Sequence, residues 1–216
     1  MNIILFGPPG SGKGTQANKL ANQFSLKNVS TGELLRIESF KDTDKGKKIK
    51  SIIDKGQLVS DEIISDLIIN ILSDKKISNK IIFDGYPRNL NQAKLMENLM
   101  KTYKQKISCV LSLKVDKEIV TKRILSRQTC SQCGLIFNEF FHPATKTNHK
   151  CDDKFLIKRS DDNEKTIRSR FQIYQDLTLP ILNFYREQKL LHQINGKAKI
   201  DDIYKEIQGI IASIET

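Results

Sequence analysis

The sequence lacks the features of a membrane or secreted protein. No run of about eighteen apolar residues occurs among its 216 residues, so we expect no membrane-spanning helix and no membrane partner. The chain leads directly into the apolar residues 3–6, without the basic start, long apolar stretch and small-residue cleavage site of a secretory signal. We therefore expect a cytoplasmic protein.

Cysteine is scarce and unevenly placed. Cys130, Cys133 and Cys151 lie close together in the sequence, whereas Cys109 lies inside the apolar run 107–115. This distribution argues against a disulfide framework. We expect Cys109 to be a core residue of its strand.

Acidic residues are too few to balance the basic ones. The chain has 25 Asp and Glu against 36 Lys and Arg, which gives a formal net charge of +11. Such a charge favours anionic partners, and both nucleic acid and small phosphorylated metabolites would satisfy it. Because the lysines are spread along the chain rather than gathered in one basic arm, most of them are typical of a solvated surface.

Apolar periodicity predicts alternating strands and helices around one core with insertions. Strands are expected at 2–6, near Val29, and at 80–84, 107–115 and 191–194. Helices are expected at 12–24, 89–103, 116–127 and 203–214. Two more should begin at Ser30 and Ser60, and another should end near Gly56. A further helix should begin at Asp161 and bend at Pro180. The Ser30 helix carries the Ser-x-x-Glu spacing of a capping box.

This order predicts an α/β fold, a mostly parallel sheet covered by helices on both faces. The alternation stops at 129–158, where Gly, Pro, Cys, Asn and His cluster among short aromatic runs, which indicates an inserted subdomain. The segments 30–59 and 126–162 are therefore candidate moving parts on a core formed by 1–29, 60–125 and 163–216.

A glycine-rich segment, Gly7-Pro8-Pro9-Gly10-Ser11-Gly12-Lys13, follows the first predicted strand and precedes the first predicted helix. In this context glycines let backbone N–H groups surround phosphate oxygens, and Lys13 can reach the β- and γ-phosphates of a nucleoside triphosphate. The general phosphate-binding loop has Ser or Thr directly after its lysine, but here Gly14 takes that position and Thr15 follows.

Asp84 ends the predicted strand 80–84, so its carboxylate should lie at the carboxyl end of the sheet, where ligands of such folds bind. A carboxylate there could hold Mg²⁺ through water.

Six arginines fall in or beside the segments already named: Arg36, Arg88, Arg123, Arg127, Arg159 and Arg170. Transfer between two nucleotides gathers many phosphate oxygens in one cleft, and arginine clamps such oxygens while staying charged. Arg123 and Arg127 are four residues apart, so we expect them on one helix face.

The Gly-Lys-Gly-Thr form of the loop resembles that of the nucleoside monophosphate kinases. Three further segments carry the same resemblance: Thr31-Gly32-Glu33-Leu34-Leu35-Arg36, Asp84-Gly85-Tyr86-Pro87-Arg88 and Arg159-Ser160-Asp161-Asp162. Together they resemble the adenylate kinase family in its long-lid bacterial type. The resemblance implies a small helical AMP-binding insertion and a lid, reversible transfer from ATP·Mg to AMP giving two ADP, and a monomer.

The resemblance also implies roles for individual residues. ATP would be bound by Gly10, Ser11, Gly12, Lys13, Gly14, Thr15, Arg123, Arg127 and the backbone near Ile136, Phe137 and Ala198. AMP would be bound by Thr31, Arg36, Gln57, Leu58, Val59, Gly85, Tyr86, Pro87, Arg88, Gln92, Arg159 and Arg170. Charge on the transferring group would be stabilised by Lys13, Arg88, Arg123, Arg159 and Arg170, while Asp161 and Asp162 hold the lid. The Gln92 amide can both accept from and donate to an adenine edge.

Cys130-x-x-Cys133 followed by Cys151 is typical of a structural zinc site. Family members with a metal place a cysteine or aspartate three residues after the third ligand, a position held here by Lys154. We therefore predict Asp153 as the fourth ligand, with His142 and His149 as other options; a lid that has lost its metal is the alternative.

Two other functions stay open. A nucleic-acid-binding protein built on the cysteine-rich insert would fit the charge, but it leaves the phosphate loop and the arginines unexplained, so we expect no nucleic-acid partner. A kinase of the same fold could act on another nucleoside monophosphate.

Overall fold

The computed structural model describes residues 1–215, and Thr216, the end of the predicted core, lies outside them. Five parallel strands form the central sheet. In spatial order they are β2 (Lys27–Ser30), β3 (Ile81–Asp84), β1 (Asn2–Phe6), β4 (Cys109–Lys114) and β8 (Leu191–Asn195). Among residues 1–215, none of the helices has both the length and the apolar character needed to span a membrane.

Helices cover the sheet on both faces. Along β1 the side chains alternate, so that Ile4 and Phe6 enter one core while Ile3 and Leu5 enter the other. One face is covered mainly by α1 (Lys13–Phe24) and α9 (Ile200–Glu215), and the other mainly by α4 (Asp61–Ser73), α5 (Leu90–Thr102) and α8 (Ile181–Glu187). This arrangement confirms the predicted α/β class. Cys109 is fully buried in β4, as predicted.

Two segments are inserted between elements of this layered core, and the first also packs on it through Leu35 and Ile49. The first contains α2 (Thr31–Ser39) and α3 (Asp44–Asp54), between β2 and α4. The second follows α6 (Lys117–Leu125) and contains β5 (Arg127–Cys130), β6 (Ile136–Asn138) and β7 (Leu156–Ile157), which form an antiparallel sheet in the order β6-β5-β7. The chain then returns to the core through α7 (Glu164–Ile173). That the two segments move as separate units stays a prediction.

The predicted helix 116–127 is wrong at its end. Helix α6 stops at Leu125, and Arg127 lies in β5, where it pairs with Asn138 of β6. Arg123 and Arg127 therefore do not share a helix face. The four-residue spacing misled the prediction because the strand depends on pairing with residues distant in sequence.

Two smaller predictions concern helix ends. The capping box at Ser30 is wrong: α2 begins after Ser30, the last residue of β2, but this side chain makes no capping hydrogen bond. Near Pro180 the helical hydrogen bonding changes, while the bend predicted there stays a prediction. The Leu179 N–H donates to the Tyr174 carbonyl at 2.8 Å, a turn one residue wider than an α-helical one, and α8 starts directly after Pro180.

Candidate active site

A cleft of about 890 Å³ opens at the carboxyl ends of β1 and β3, where ligands of parallel α/β sheets bind. The predicted nucleotide-binding residues line it, with one exception. They are Gly10, Ser11, Gly12, Lys13, Gly14, Thr15, Thr31, Arg36, Gln57, Leu58, Val59, Asp84, Gly85, Pro87, Arg88, Gln92, Arg123, Arg127, Ile136, Phe137, Arg159, Arg170 and Ala198. Residues from the core and both inserted segments thus meet in one cavity.

The exception is Tyr86, which belongs to the core. Its side chain is 1% exposed, and its hydroxyl donates to the Gln92 carbonyl at 3.3 Å. Burial, assisted by the nearby Asp61, raises the pKa of the Tyr86 phenol well above its usual range. Tyr86 therefore stabilises the start of α5 beneath the cleft rather than offering its side chain to a ligand.

The phosphate loop connects β1 to α1. Gly10 and Gly12 have φ angles of 79° and 95°, which residues with a side chain rarely adopt and glycine adopts freely. Lys13 Nζ donates to the carbonyls of Gly7 at 2.7 Å and Pro8 at 3.1 Å. Burial lowers the pKa of Lys13 to about 8; Asp84 opposes this shift, and Arg88 and Arg127 add to it.

Asp84 lies beside this loop at the end of β3. A Cβ placed on Gly14 would be 3.7 Å from an Asp84 carboxylate oxygen. Gly14, the residue next to Lys13, therefore faces the carboxylate. A carboxylate beside the phosphate loop suits a hard cation such as Mg²⁺.

A second group of contacts is built around Gly85, whose φ of 81° again requires glycine. Its carbonyl accepts from Thr31 Oγ1 at 2.9 Å and from Arg88 Nε at 2.7 Å. Burial, with Arg170 and Arg36 nearby, lowers the pKa of Arg88 to about 10, so the guanidinium is still charged at neutral pH. Gly85 thus orients one hydroxyl and one cation at the cleft.

Gln92 also lines the cleft, but its amide is engaged by the protein. Its Oε1 accepts from the Arg88 backbone N–H at 2.7 Å, and its Nε2 donates to Asp61 Oδ1 at 2.7 Å. Reading an adenine edge would require at least one of these partners to be exchanged.

Two buried carboxylates bind three of the arginines. Asp161 accepts from Arg36 Nη2 at 3.2 Å and from Arg170 Nη2, and Asp162 pairs with Arg127, whose Nε donates to it at 2.8 Å. Burial alone would raise the pKa of Asp161, but the two guanidinium groups outweigh it and hold this pKa well below its usual range. The carboxylates fix these three arginines in the cleft, whereas the role of Asp161 and Asp162 in holding the lid stays a prediction.

Arg159 completes the cationic group. Its Nε donates to Thr129 Oγ1 at 3.1 Å. Burial, with Arg127 and Arg36 nearby, lowers the pKa of Arg159 to about 9, against the opposing influence of Asp162 and Asp161. Cations crowded this closely are costly for a fold, and a ligand with several negative charges would relieve the repulsion.

Arg123 also lines the cleft, as does Ala198. Its Nη1 donates to the Gly196 carbonyl at 3.0 Å, and its guanidinium carbon is 5.6 Å from the ring centroid of Phe141. Sequence reasoning missed Phe141, Asn138 and Lys199, which also line the cleft. The only sequence signal for Phe141 was the aromatic content of the insert.

The three clustered cysteines come together with a histidine. One possible ligand atom from each of Cys130, Cys133, His149 and Cys151 lies within 4.8 Å of the others. His149 is 5% exposed, and neither of its ring nitrogens has a hydrogen-bond partner. A Cys₃His set with orphaned imidazole nitrogens fits a tetrahedral zinc ion.

Asp153, the predicted fourth ligand, is not part of this group. Its side chain is 90% exposed, and Oδ1 lies 3.9 Å from Nδ1 of His149, beside the cluster rather than within it. His142 is also elsewhere, stacked on Phe137 at 5.9 Å between centroids and lining the cleft. His149 is favoured because a turn between residues 145 and 149, closed by the His149 N–H donating to the Thr145 carbonyl, places its ring next to Cys130 and Cys133.

Comparison with known proteins agrees with this geometry. The family model for adenylate kinase matches residues 5–190. Adenylate kinases of Pelagibacter ubique and Petrotoga mobilis are 42% and 38% identical to the chain, covering 98% and 99% of it and 99% and 98% of their own lengths. The adenylate kinase of Archaeoglobus fulgidus is 37% identical, with all of both chains covered. The chain belongs to the adenylate kinase family of nucleoside monophosphate kinases.

Proposed function

We propose that the protein catalyses reversible transfer of the γ-phosphoryl group of ATP to AMP, giving two molecules of ADP. The observation that carries this proposal is a cleft in which a phosphate loop and a set of half-buried arginines face the same space. The loop accounts for one nucleotide, and the arginines supply a second phosphate site that the loop cannot provide.

The two nucleotides would occupy opposite ends of the cleft. ATP would lie along residues 10–15 with its base toward Arg123 and Ala198, whereas AMP would lie near Thr31, with its phosphate bound by Arg36, Arg88 and Arg170. Its adenine would reach Gln92, whose amide then exchanges Asp61 or the Arg88 N–H for the base.

The chemistry needs charge stabilisation rather than covalent help. An oxygen of the AMP phosphate attacks the γ-phosphorus in line, and the bond from that phosphorus to the β–γ bridging oxygen of ATP breaks, so that ADP leaves. Lys13 and the arginines at positions 88, 159 and 170 would bind the oxygens that carry the negative charge. Arg123, which the resemblance places with them, lies beside Gly196 and Phe141 and would serve the base end of ATP instead. Magnesium bound with ATP and held by Asp84 through water would neutralise further phosphate charge. No residue is needed as a base.

Water must be kept from competing with AMP, and the two inserted segments are suited to this. Ser160 Oγ donates to Asp54 at 3.3 Å, and Arg36 pairs with Asp161, so each contact joins segment 30–59 to segment 126–162 across the cleft. We propose that these segments act as an AMP-binding domain and a lid whose closure excludes water.

The cysteine cluster would hold a structural zinc ion in the lid. Cys130, Cys133 and Cys151 would bind as thiolates and His149 through a ring nitrogen. With all four positions filled by protein, the ion would cross-link the turn after β5 to residues 149–151 and take no part in phosphoryl transfer.

The acceptor is tested by a coupled assay of ADP formation on purified protein with ATP·Mg and, in turn, AMP, CMP, UMP and GMP. AMP should give the highest kcat/KM. A preference for another monophosphate would replace the substrate assignment within the same fold, and nucleic-acid binding without transfer would replace the enzyme. We further propose a monomer; the cytoplasmic location stays a prediction.

A further inference from the structure

The backbone of Arg88 is held from two sides. Its N–H donates to Gln92 Oε1 at 2.7 Å, and its carbonyl accepts from the hydroxyl of Thr178 at 2.8 Å. Gln92 is close in sequence, in the first turn of α5, whereas Thr178 is 90 residues further along the chain. Thr178 therefore fixes Arg88 relative to a distant part of the core.

Thr178 lies in the wide turn between α7 and α8, where it is buried and lines the cleft. Turns of this width are uncommon and are frequent at functional sites. The hydroxyls of Thr102 and Thr121 donate to carbonyls four residues back in their own helices, which is the usual local contact of a helical threonine. The hydroxyl of Thr178 instead leaves its own segment and donates to Arg88.

The segment that carries Thr178 also carries Arg170. Arg170 lies in the last turn of α7, and both it and Arg88 line the cleft. After burial itself, Arg170 is the largest influence that lowers the pKa of Arg88, so the two cations repel each other. Like charges this close need contacts with the protein to stay together in the absence of an anion. Thr178 supplies such a contact at Arg88, as Asp161 does at Arg170.

We infer that Thr178 is a positioning residue, whose hydroxyl holds the Arg88 backbone so that this guanidinium and that of Arg170 bind one phosphate group together. The inference rests on the proposed function for the AMP phosphate as the group that they bind. Thr178 acts through Arg88 and not on the nucleotide itself. It contributes to the acceptor site and not to binding at the phosphate loop of residues 7–15.

Thr178→Val tests this inference because it keeps the branched shape of the side chain and removes the hydroxyl. Thr178→Ser keeps the hydroxyl. Thr102→Val is the matched control, since the Thr102 hydroxyl also donates to a backbone carbonyl, at 3.0 Å, but on an exposed helix end outside the cleft. The dissociation constants of AMP and ATP are measured by NMR titration. AMP is also titrated into Arg88→Ala and into Arg88→Ala combined with Thr178→Val.

Thr178→Val should weaken AMP binding about fivefold and leave ATP binding unchanged, which also shows that the variant is folded. Thr178→Ser and Thr102→Val should bind AMP like the wild type. In the Arg88→Ala background, Thr178→Val should cause no further loss of AMP affinity, because no guanidinium is left to position. A threonine that contacted AMP directly would lower the affinity in both backgrounds.

Three results would overturn the inference: unchanged AMP affinity in Thr178→Val, an equal loss of affinity for AMP and ATP, or a loss that persists in the Arg88→Ala background. If the wild type prefers another nucleoside monophosphate, the same titrations use that nucleotide, since the inference concerns its phosphate. The titrations decide the inference even if the wild type forms no ADP, which would refute only the proposed reaction.

Discussion

The phosphate cleft and the cysteine cluster of the lid differ in how their polar groups are satisfied. In the cleft, Lys13 donates to the carbonyls of Gly7 and Pro8, and Asp161 binds both Arg36 and Arg170. In the cluster, His149 is buried with both ring nitrogens unpartnered, beside three free thiols. The cleft pairs most of its charged groups internally and leaves Ser11 Oγ and Arg36 Nε without a partner, whereas in the cluster both nitrogens of the buried imidazole lack one.

This difference separates function from stability. Burial lowers the pKa values of Lys13 and Arg88, so keeping these groups charged costs folding free energy. The cleft keeps their charge because phosphate binding needs it. An unpartnered buried imidazole is also costly, but a metal ion would convert that cost into a cross-link. Changes in the cleft should therefore affect catalysis more than folding, and changes in the cluster the reverse.

Lys13→Ala gives the largest expected effect. Removing the ammonium from the phosphate loop should lower kcat/KM about a thousandfold, the scale of losing one positioned donor to transition-state charge. Because burial disfavours its charge, its loss should leave the melting temperature unchanged or raise it. A steady-state assay and a thermal melt check both, and activity within tenfold of wild type would contradict the role of Lys13.

His149→Ala addresses the other region, with Asp153→Asn as its control. Wild type and Asp153→Asn should contain about one zinc per chain after dialysis, measured by elemental analysis, and His149→Ala clearly less. If free zinc is present at a hundredfold excess over its Kd, losing the bound ion should lower the melting temperature by roughly 5–10 °C. Zinc retained by His149→Ala but lost from Asp153→Asn would restore the ligand predicted from sequence.

Gly85→Ala sharpens the comparison within the cleft. A Cβ there would lie 3.0 Å from Arg88 Nη2 and 3.2 Å from Thr31 Oγ1, on a backbone with a φ of 81°. We expect the KM for AMP to rise at least about tenfold, from displacement of these side chains and strain of about 1–2 kcal/mol, while ATP binding is unchanged. Gly209→Ala, whose Cβ meets nothing within 4 Å, is the control. An equal loss of affinity for ATP and AMP would contradict the assignment of Gly85 to the AMP site.

The smallest effect concerns pH. Since its pKa is lowered to about 8, Lys13 is charged below that pH and loses its charge above it. The kcat/KM for ATP reports the free enzyme, so it should be about halved at pH 8 and fall about tenfold per pH unit beyond. The kcat/KM for AMP at saturating ATP should lack this inflection, because bound triphosphate raises the lysine pKa. Identical profiles for both nucleotides would contradict this assignment.

Much of the fold could be predicted because the signals are local. The strand before Gly7, the lysine after Gly12 and the apolar spacing of the last helix are each contained within a few residues. They gave the element order and hence the parallel sheet. The residues of the cleft required the resemblance as well, since no local pattern brings Arg36 and Arg170 to one carboxylate.

The errors fall where distant pairing decides. Arg127 lies in a strand because β6 pairs with it, and Tyr86 is buried by the packing around α5. His149 takes the fourth position of the cluster through a turn whose geometry the spacing from Cys151 does not reveal. Each depends on contacts that a single sequence does not record.

The most direct test of two phosphate sites in one cleft supplies ADP alone with magnesium and follows the products by phosphorus NMR. One ADP must then act as donor and another as acceptor. We predict ATP and AMP in equal amounts and no inorganic phosphate. Phosphate release, AMP without ATP, or no reaction would contradict the account.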